Sequence, residues 1–447
     1  MGEAEFVRRT YYLGIANGAL FAAFSALTDS GTVTAALIQT AVASPVAVGL
    51  AAGLAGVGWN WPSLLVANRI ERGVYKMPWY RWAAVGRWTT MAMIAALLVP
   101  LANYSRVVLV VMVIAGFFVY SSCGGAGILA FNDVVARHIP PTKRGAFWAW
   151  RALLGGLLGL AAGIFVRYIL SPARSGLGFP MNFAVIYWAA LFFSLTGLGA
   201  FCAVKETAGR PGRRVPLWLQ VALGPRLFRR DANYRRLLWV KVCAAAARGA
   251  LPLMVPFAIT QLNVPDSAVG TYTSVSVVFS LTATLMWGRV SDRRGNRQAL
   301  MLGSLALMLA PAIALALRWV PEVPLRALGA ETLKQLIFPL TFAASGFAAQ
   351  GVGIGDINYL LEIAPARRRV SYIAFMNVVT IPLFAIPAVA GYVAKSVSYY
   401  VVFGFSALAA VAGMIISMAL EEPRRREANE RGSSGPAGCG SRDGEEK

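Results

Sequence analysis

Apolar runs of about 20 residues, separated by short polar segments, follow one another from Tyr11 to Leu420. A helix of that length crosses the roughly 30 Å hydrocarbon core of a bilayer. The first run lacks the short apolar core and small-residue cleavage site of a signal peptide, so we expect it to be retained. The pattern predicts twelve spans, at residues 11–36, 43–67, 83–102, 106–131, 147–170, 181–203, 238–261, 267–287, 299–317, 336–358, 370–394 and 399–420.

The composition agrees with burial in lipid. Apolar residues make up 57% of the chain and charged residues 14%, with a mean hydropathy of +0.59. Soluble domains are only about 45 to 50% apolar. The four cysteines form neither a disulfide framework nor a metal-binding pattern. We therefore predict an all-α integral membrane protein that is not an enzyme and has no cofactor and no metal.

The net charge of +22 is placed unevenly along the chain. With the amino terminus inside, most Lys and Arg residues fall in the tails and in the loops after even-numbered spans. This is the positive-inside pattern, and it predicts a cell (inner or plasma) membrane protein with both termini in the cytoplasm. The basic charge thus indicates topology and contact with membrane lipids, and nucleic acid is not an expected partner.

A polar segment divides the spans into two sets of six. Residues 204–236 are rich in Arg, Pro and Gly and are predicted to be a cytoplasmic linker between a bundle at 1–203 and a bundle at 237–420. An apolar face at Trp218, Leu219, Ala222, Leu223 and Leu227 suits a short helix at the membrane surface, and a solvated linker is the alternative. The polar residues 421–447 are predicted to be a disordered cytoplasmic tail.

An internal repeat relates the two sets. The chain reads ANRIERGVYK after the second span and GRVSDRRGNR after the eighth, with acid and base in register 221 residues apart. The segments after the fourth and tenth spans, FNDVVARHIPPTKRG and GDINYLLEIAPARRR, match at an offset of 224. Two sets of six helices in the same orientation predict pseudo-symmetric bundles related by an axis along the membrane normal.

These loops resemble the signature of the major facilitator superfamily, which is a Gly, an acid four residues later, an Arg and further basic residues. The second copy matches at Gly288, Asp292, Arg293, Gly295 and Arg297, whereas the first has Ala67 for the Gly and Glu71 for the acid. The resemblance covers residues 11–420 and implies alternating access, in which two six-helix bundles rock around a central cavity.

The loop residues are candidates for a cytoplasmic gate. Their carboxylates can face the positive end of a helix, and their basic side chains can pair with acids such as Asp133 or Asp356. The alternative is that these charges only set the topology. The candidate gate residues are Glu71, Arg72, Lys76, Asp133 and Arg144 in the first half and Gly288, Asp292, Arg293, Gly295 and Arg297 in the second.

The resemblance implies that spans one, four, seven and ten line the cavity. Arg248 lies near the middle of span seven, before Pro252 and Pro256, which should kink that helix. Its guanidinium could bind an anionic solute, or it could form a structural pair with Asp29 or with freed carbonyl groups. Asp356 in span ten is a further ionisable candidate at bilayer depth.

Two further candidates lie in spans one and four. Asp29 is the candidate for proton coupling, with a solvated mouth residue or a helix cap as the alternative. Tyr120 could stack on a sugar ring or simply pack between helices.

The resemblance implies a monomeric secondary transporter that moves a small solute by alternating access, with coupling to an ion or proton. A multidrug efflux antiporter and a lipid flippase or receptor with the same fold are the alternatives. This chain lacks two sequence features that drug/proton antiporters of the superfamily carry. Gly163 is followed by Ile164 and not by Pro, and no Arg lies between Val107 and Phe131.

Overall fold

The computed structural model describes residues 3–208, 224–325, 330–365 and 369–422. Within them, eleven helical segments are long and apolar enough to cross a membrane. Pro45–Arg72, a further helix of 28 residues, packs on the helices of the fourth and eleventh spans. The predicted all-α membrane fold with twelve spans is confirmed. The predicted tail and surface helix fall largely outside the described residues.

The first six spans run nearly uninterrupted, except for the first. A short helix, Pro172–Ser175, lies between the fifth and sixth spans. The spans are Glu3–Leu27 with Val33–Val42, Pro45–Arg72, Met77–Tyr104, Arg106–His138, Pro141–Ile169 and Met181–Cys202.

The second six spans are more often interrupted. The helix Gly224–Arg230 precedes them, and the strands Pro324–Leu325 and Ala330–Thr332 pair antiparallel before the helix Leu333–Ile337. The 3₁₀ turns Leu251–Leu253 and Ile381–Ala385 interrupt the seventh and eleventh spans. The spans are Ala232–Arg248 with Met254–Gln261, Ala268–Arg294, Asn296–Leu307 with Leu309–Ala316, Pro339–Ile363, Arg369–Thr380 with Ile386–Ser396, and Tyr399–Met418.

The first and seventh spans are broken at equivalent places, and the prediction of one continuous helix over 11–36 was wrong. Adding the 221-residue offset between the repeats to the break at 28–32 gives residues 249–253, where the seventh span is broken. In the first span, the side chains of Thr28 and Asp29 bind nearby backbone groups and compete with the helical pattern. In the seventh, Pro252 lacks the N–H that a continuous helix needs.

Glycines bring the two halves into close contact. Gly159 and Gly163 of the fifth span face Val277 and Ser274 of the eighth. A side chain at Gly49 of the second span would overlap the backbone of the eleventh at Pro387. Small residues let helix backbones approach closely. This packing matters in a membrane because the hydrophobic effect does not drive helices together in lipid.

Further contacts between the halves lie at the end of the bundle away from the chain termini, which we call the closed end. Thr273 donates a hydrogen bond of 3.0 Å to Thr32, and both side chains are buried. Thr40 donates one of 3.4 Å to Asp266. The first and eighth spans are thereby joined where the first is broken.

Candidate functional site

Two cavities lie between the halves. The inner cavity, nearer the end of the bundle that carries the chain termini, has a volume of about 250 Å³ and is lined by Asn60, Lys241, Arg248, Asp356 and residues of the eleventh span. The outer cavity, of about 310 Å³, is lined by Asp29 and Arg248 together with several Ser and Thr residues. Because Arg248 lines both, its side chain lies at the boundary between them.

Arg248 is the last residue of the helix Ala232–Arg248, where the seventh span breaks. Its Nε is buried and has no hydrogen-bond partner, and no ion pair joins the guanidinium to an acid within the described ranges. Asp29 lines the same outer cavity but forms no ion pair with Arg248 at 4.0 Å or less. A guanidinium left this way is available to a ligand that supplies acceptor oxygens.

Asp356 is paired elsewhere. Its Oδ2 accepts a hydrogen bond of 2.6 Å from Lys241 Nζ, which joins the seventh and tenth spans, while its buried Oδ1 has no hydrogen-bond partner. The side chains are 27% and 14% exposed for Lys241 and Asp356. Together with Arg248, the inner cavity therefore has two basic groups and one acid among its described lining residues.

Asp29 holds the turn at the break in the first span. Its Oδ1 accepts hydrogen bonds of 3.0 Å from the Gly31 N–H and from Thr32 Oγ1. Its backbone carbonyl accepts from the Thr34 N–H at the start of the helix Val33–Val42. Asp29 thus has a local structural role and also lines the outer cavity.

Tyr120 lies away from both central cavities. It is 3% exposed, its ring stacks on Phe24 at 4.8 Å, and its hydroxyl lies 3.2 Å from Ser194 Oγ. The guanidinium of Arg87 lies 4.3 Å from its ring centre. Tyr120 therefore packs within the first bundle and is not brought together with Arg248.

The first copy of the loop motif contacts an acid that sequence reasoning missed. Glu206 follows the sixth span, and its side chain is 3% exposed. Its carboxylate accepts hydrogen bonds of 2.7 Å from the backbone N–H groups of Lys76 and Met77, at the start of the third span. Arg137 lies 3.5 Å from the same carboxylate and also pairs with Asp133 of its own helix. A negative charge at a helix amino terminus is favourable.

The remaining gate candidates of the first half make local contacts where they are described. Lys76 Nζ donates to the Ile70 carbonyl. Arg144 donates to the carbonyls of Ile139 and Ala136 at the end of the fourth span. The side chains of Glu71 and Arg72 lie outside the described part of the chain.

The second copy lies beside the end of the twelfth span. Arg297 donates a hydrogen bond of 2.6 Å to the Met418 carbonyl. Gly295 has φ +92°, and a side chain there would come within 2.6 Å of the Glu422 carboxylate. Asp292 and Arg293 are exposed, and Gly288 has open space beside it. Glu422 thus follows the twelfth span as Glu206 follows the sixth, each four residues after the helix end.

Sequence reasoning also missed two arginines of the first bundle. Arg87 of the third span and Arg151 of the fifth lie inside the bundle and line a third, smaller cavity. Each is only a few residues inside its predicted span, where basic residues usually mark the cytoplasmic end of a helix. Their position in an apolar run was the available signal. No group of three His, Cys, Asp or Glu suited to a metal ion occurs in the described residues.

Solved transporter structures have the same fold. The nucleoside transporter NupG is 13% identical, with a TM-score of 0.68 over 93% of this chain and 99% of its own. A D-xylose–proton symporter is 15% identical, with a TM-score of 0.65 over 94% and 99%. An inward-facing bacterial homologue of the iron transporter ferroportin is 12% identical, with a TM-score of 0.63 over 94% and 99%. No curated protein sequence matches the chain.

The second half also matches a family by sequence. The model of the Major Facilitator Superfamily matches residues 237–441. The first half shares the fold of the second through the repeat described above, and the solved transporters cover both halves. Residues 237–441 therefore match the major facilitator superfamily by sequence, and the chain as a whole is a multi-pass membrane protein with the fold of the solved transporters.

Proposed function

We propose that this protein is a secondary active transporter that moves a small solute with an anionic group by alternating access, with Arg248 as the residue that binds that group. The observation that carries the proposal is the state of Arg248. Its guanidinium lines both central cavities, and its Nε is buried without a hydrogen-bond partner. Asp356, the acid that lines the inner cavity with it, is bound to Lys241.

The chemistry of the cavities supports an anionic group. An Arg side chain presents a planar set of donors that matches the two oxygens of a carboxylate or the oxygens of a phosphate ester. The outer cavity adds the hydroxyl groups of Ser276, Ser280, Thr341 and Ser345, which suit a polar solute. A combined volume of several hundred Å³ is in the range of small-molecule sites.

Contacts between the halves support alternating access. The glycine contacts of the fifth with the eighth span and the hydrogen bonds at the closed end seal one side of the cavities. Breaking them and closing the other side would expose Arg248 in turn to each face of the membrane. A hydrogen bond between two hydroxyls, of about 1 kcal/mol, and one to a carboxylate, of about 1.5 to 3 kcal/mol, are weak enough to break in every cycle. We further propose that both termini lie in the cytoplasm, as the basic loops predict.

A thermal-shift screen of the purified protein tests the substrate class. A ligand that binds the folded state raises its melting temperature by mass action. We expect carboxylates or phosphate esters to raise it, and Arg248→Ala to abolish the effect. The matched control is Arg318→Ala, because Arg318 is exposed and lies over the ring of Tyr400 at 5.3 Å, outside the cavities. Stabilisation by neutral sugars or lipophilic cations alone would contradict the proposal and favour a sugar carrier or drug efflux.

Uptake into proteoliposomes tests coupling. Asp29 lines the outer cavity with Arg248, so we propose it as the residue that takes up the coupling proton. An imposed proton gradient should drive uptake, and Asp29→Asn should leave only exchange of solute without accumulation. If uptake by the wild-type protein is the same with and without a proton gradient, the coupling proposal is wrong, while the proposed role of Arg248 is unaffected.

A further inference from the structure

A third cavity lies inside the first six-helix bundle and is separate from the two central ones. Its volume is about 120 Å³, and it shares no described lining residue with the inner or outer cavity. Five of the first six spans supply most of its wall, including Asn17, Trp59, Tyr80, Arg87 and Arg151. No Asp or Glu is among the described lining residues, so the cavity is basic.

Arg87 is the most deeply buried basic group of this cavity. Its side chain is 6% exposed, and its Nε and Nη2 are buried without hydrogen-bond partners in the described part of the chain. The guanidinium carbon lies 4.8 Å from the ring centre of Phe21, 4.3 Å from that of Tyr120 and 6.0 Å from that of Trp59. Aromatic faces attract a cation but accept no strong hydrogen bond from it.

Arg151 adds a second positive charge to the same wall. Its Nη1 donates hydrogen bonds of 2.7 Å to the Gly14 carbonyl and 3.0 Å to Asn17 Oδ1. Its guanidinium carbon lies 4.8 Å from the ring centre of Phe131. These partners are neutral, so they leave the charge of Arg151 as uncompensated as that of Arg87. Two unpaired cations inside a membrane bundle are unfavourable unless a negative charge lies near them.

We propose that this cavity binds a small monovalent inorganic anion, which accepts hydrogen bonds from Arg87 Nε and Nη2. An anion supplies both the missing charge and the missing acceptor. The volume is well below the roughly 300 Å³ at which pockets for organic ligands begin, so a halide with a few water molecules fits better than a metabolite. Because the site touches all six spans of the first half and not the central cavities, the ion holds the bundle together and is not cargo.

Chloride binding by the purified full-length protein tests the proposal. Equilibrium dialysis against radiolabelled chloride should show saturable binding near one ion per chain. Thermal unfolding, measured in the Arg248→Ala background so that the carboxylate of gluconate has no central site, should show a higher melting temperature in sodium chloride than in sodium gluconate at equal ionic strength, because gluconate is too large for this cavity. Both effects should be lost when Arg87→Gln is introduced, and chloride binding should be kept in Arg248→Ala.

Arg106→Gln is the matched control. Arg106 is exposed at the start of the fourth span and also lies over an aromatic ring, that of Phe179 at 5.4 Å. Chloride binding that persists in Arg87→Gln, or that disappears in Arg248→Ala, would overturn the assignment of the site. If Arg87→Gln does not fold, the dialysis of the wild-type protein still decides, because the absence of saturable chloride binding refutes the proposal.

Discussion

Lys241 Nζ lies 2.6 Å from Asp356 Oδ2, which links the seventh span to the tenth across the wall of the inner cavity. The pair is largely removed from solvent, so each charge depends on the other. Occupying Asp356 in this way leaves Arg248 of the same wall without an acidic partner within the described residues. Under the proposed function, this pairing of two residues 115 positions apart leaves Arg248, and not Lys241, as the cation that binds the solute.

The Lys241–Asp356 pair should be strongly coupled. We expect Asp356→Leu and Lys241→Met each to lower the unfolding free energy, and the double variant to recover part of the loss, with a coupling of about 1 to 3 kcal/mol. Chemical unfolding in detergent measures the cycle. The control cycle is Lys334–Glu322, 2.9 Å apart with Glu322 74% exposed, where at most about 1 kcal/mol is expected. Equal coupling in the two cycles would show that burial does not matter here.

Gly163 should be needed for the closed end to form. A side chain there would lie 2.9 Å from the Ser274 backbone nitrogen and 3.0 Å from the Gly270 carbonyl. Gly163→Val should therefore force the fifth and eighth spans apart and favour the state in which this end is open. The measurement is thiol labelling of Thr273→Cys, a buried position, with the native cysteines changed to Ser.

Labelling of that position should become faster in Gly163→Val by about tenfold, for a shift of roughly 1.4 kcal/mol. Gly404→Val is the control, because Gly404 of the twelfth span has open space within 4 Å and should tolerate the change. Unchanged labelling in Gly163→Val would mean that this contact does not hold the end shut.

The closed end should be sensitive to acid through Asp266. This residue lies between the seventh and eighth spans, and burial raises the pKa of its carboxyl above the ordinary value, while the hydrogen bond from Thr40 opposes the rise. The closed state therefore binds a proton more readily than an open state in which Asp266 is solvated. Its extra stability is present at low pH and is lost as pH rises through the raised pKa.

Labelling of Thr273→Cys measured against pH tests this. The rate should increase through that window more steeply than the thiolate fraction of the cysteine alone requires. Asp266→Asn should give a slow rate whose pH dependence is that of the thiol alone, since Asn resembles the protonated acid. Thr40→Val removes the opposing hydrogen bond and should move the transition to higher pH. A pH profile that is the same in Asp266→Asn and in the wild-type background would exclude Asp266 as the group responsible.

Glu206 should stabilise the first bundle. Both of its oxygens accept from backbone N–H groups at the start of the third span, which have no helical partner of their own. Glu206→Ala should lower the unfolding free energy by about 1 to 3 kcal/mol, the penalty for leaving such donors unsatisfied. Lys205→Ala, at the exposed neighbouring position, should change it by less than about 0.5 kcal/mol. Equal changes of the unfolding free energy in Glu206→Ala and Lys205→Ala would show that Glu206 does not stabilise the start of the third span.

The number of spans and the repeat followed from the sequence alone. Run length and apolar content decide whether a helix can cross a bilayer, and both are local properties. The offset between Glu71 and Asp292 is likewise readable by counting. The kink of span seven was expected from Pro252, whereas the equivalent break of span one was not predicted. Arg248 and Asp29 could be singled out because a charge in an apolar run is visible without knowing its neighbours.

Only the tertiary structure decided which charges meet. Lys241 and Asp356, Glu206 and the start of the third span, and Arg87 with its aromatic rings are joined across many residues of sequence. Hydrophobicity sets how deep a helix lies in lipid but not which of its faces turns toward which neighbour. That rotation comes from the close packing of small residues such as Gly163 against one particular helix, and it determines which cation is neutralised and which remains available.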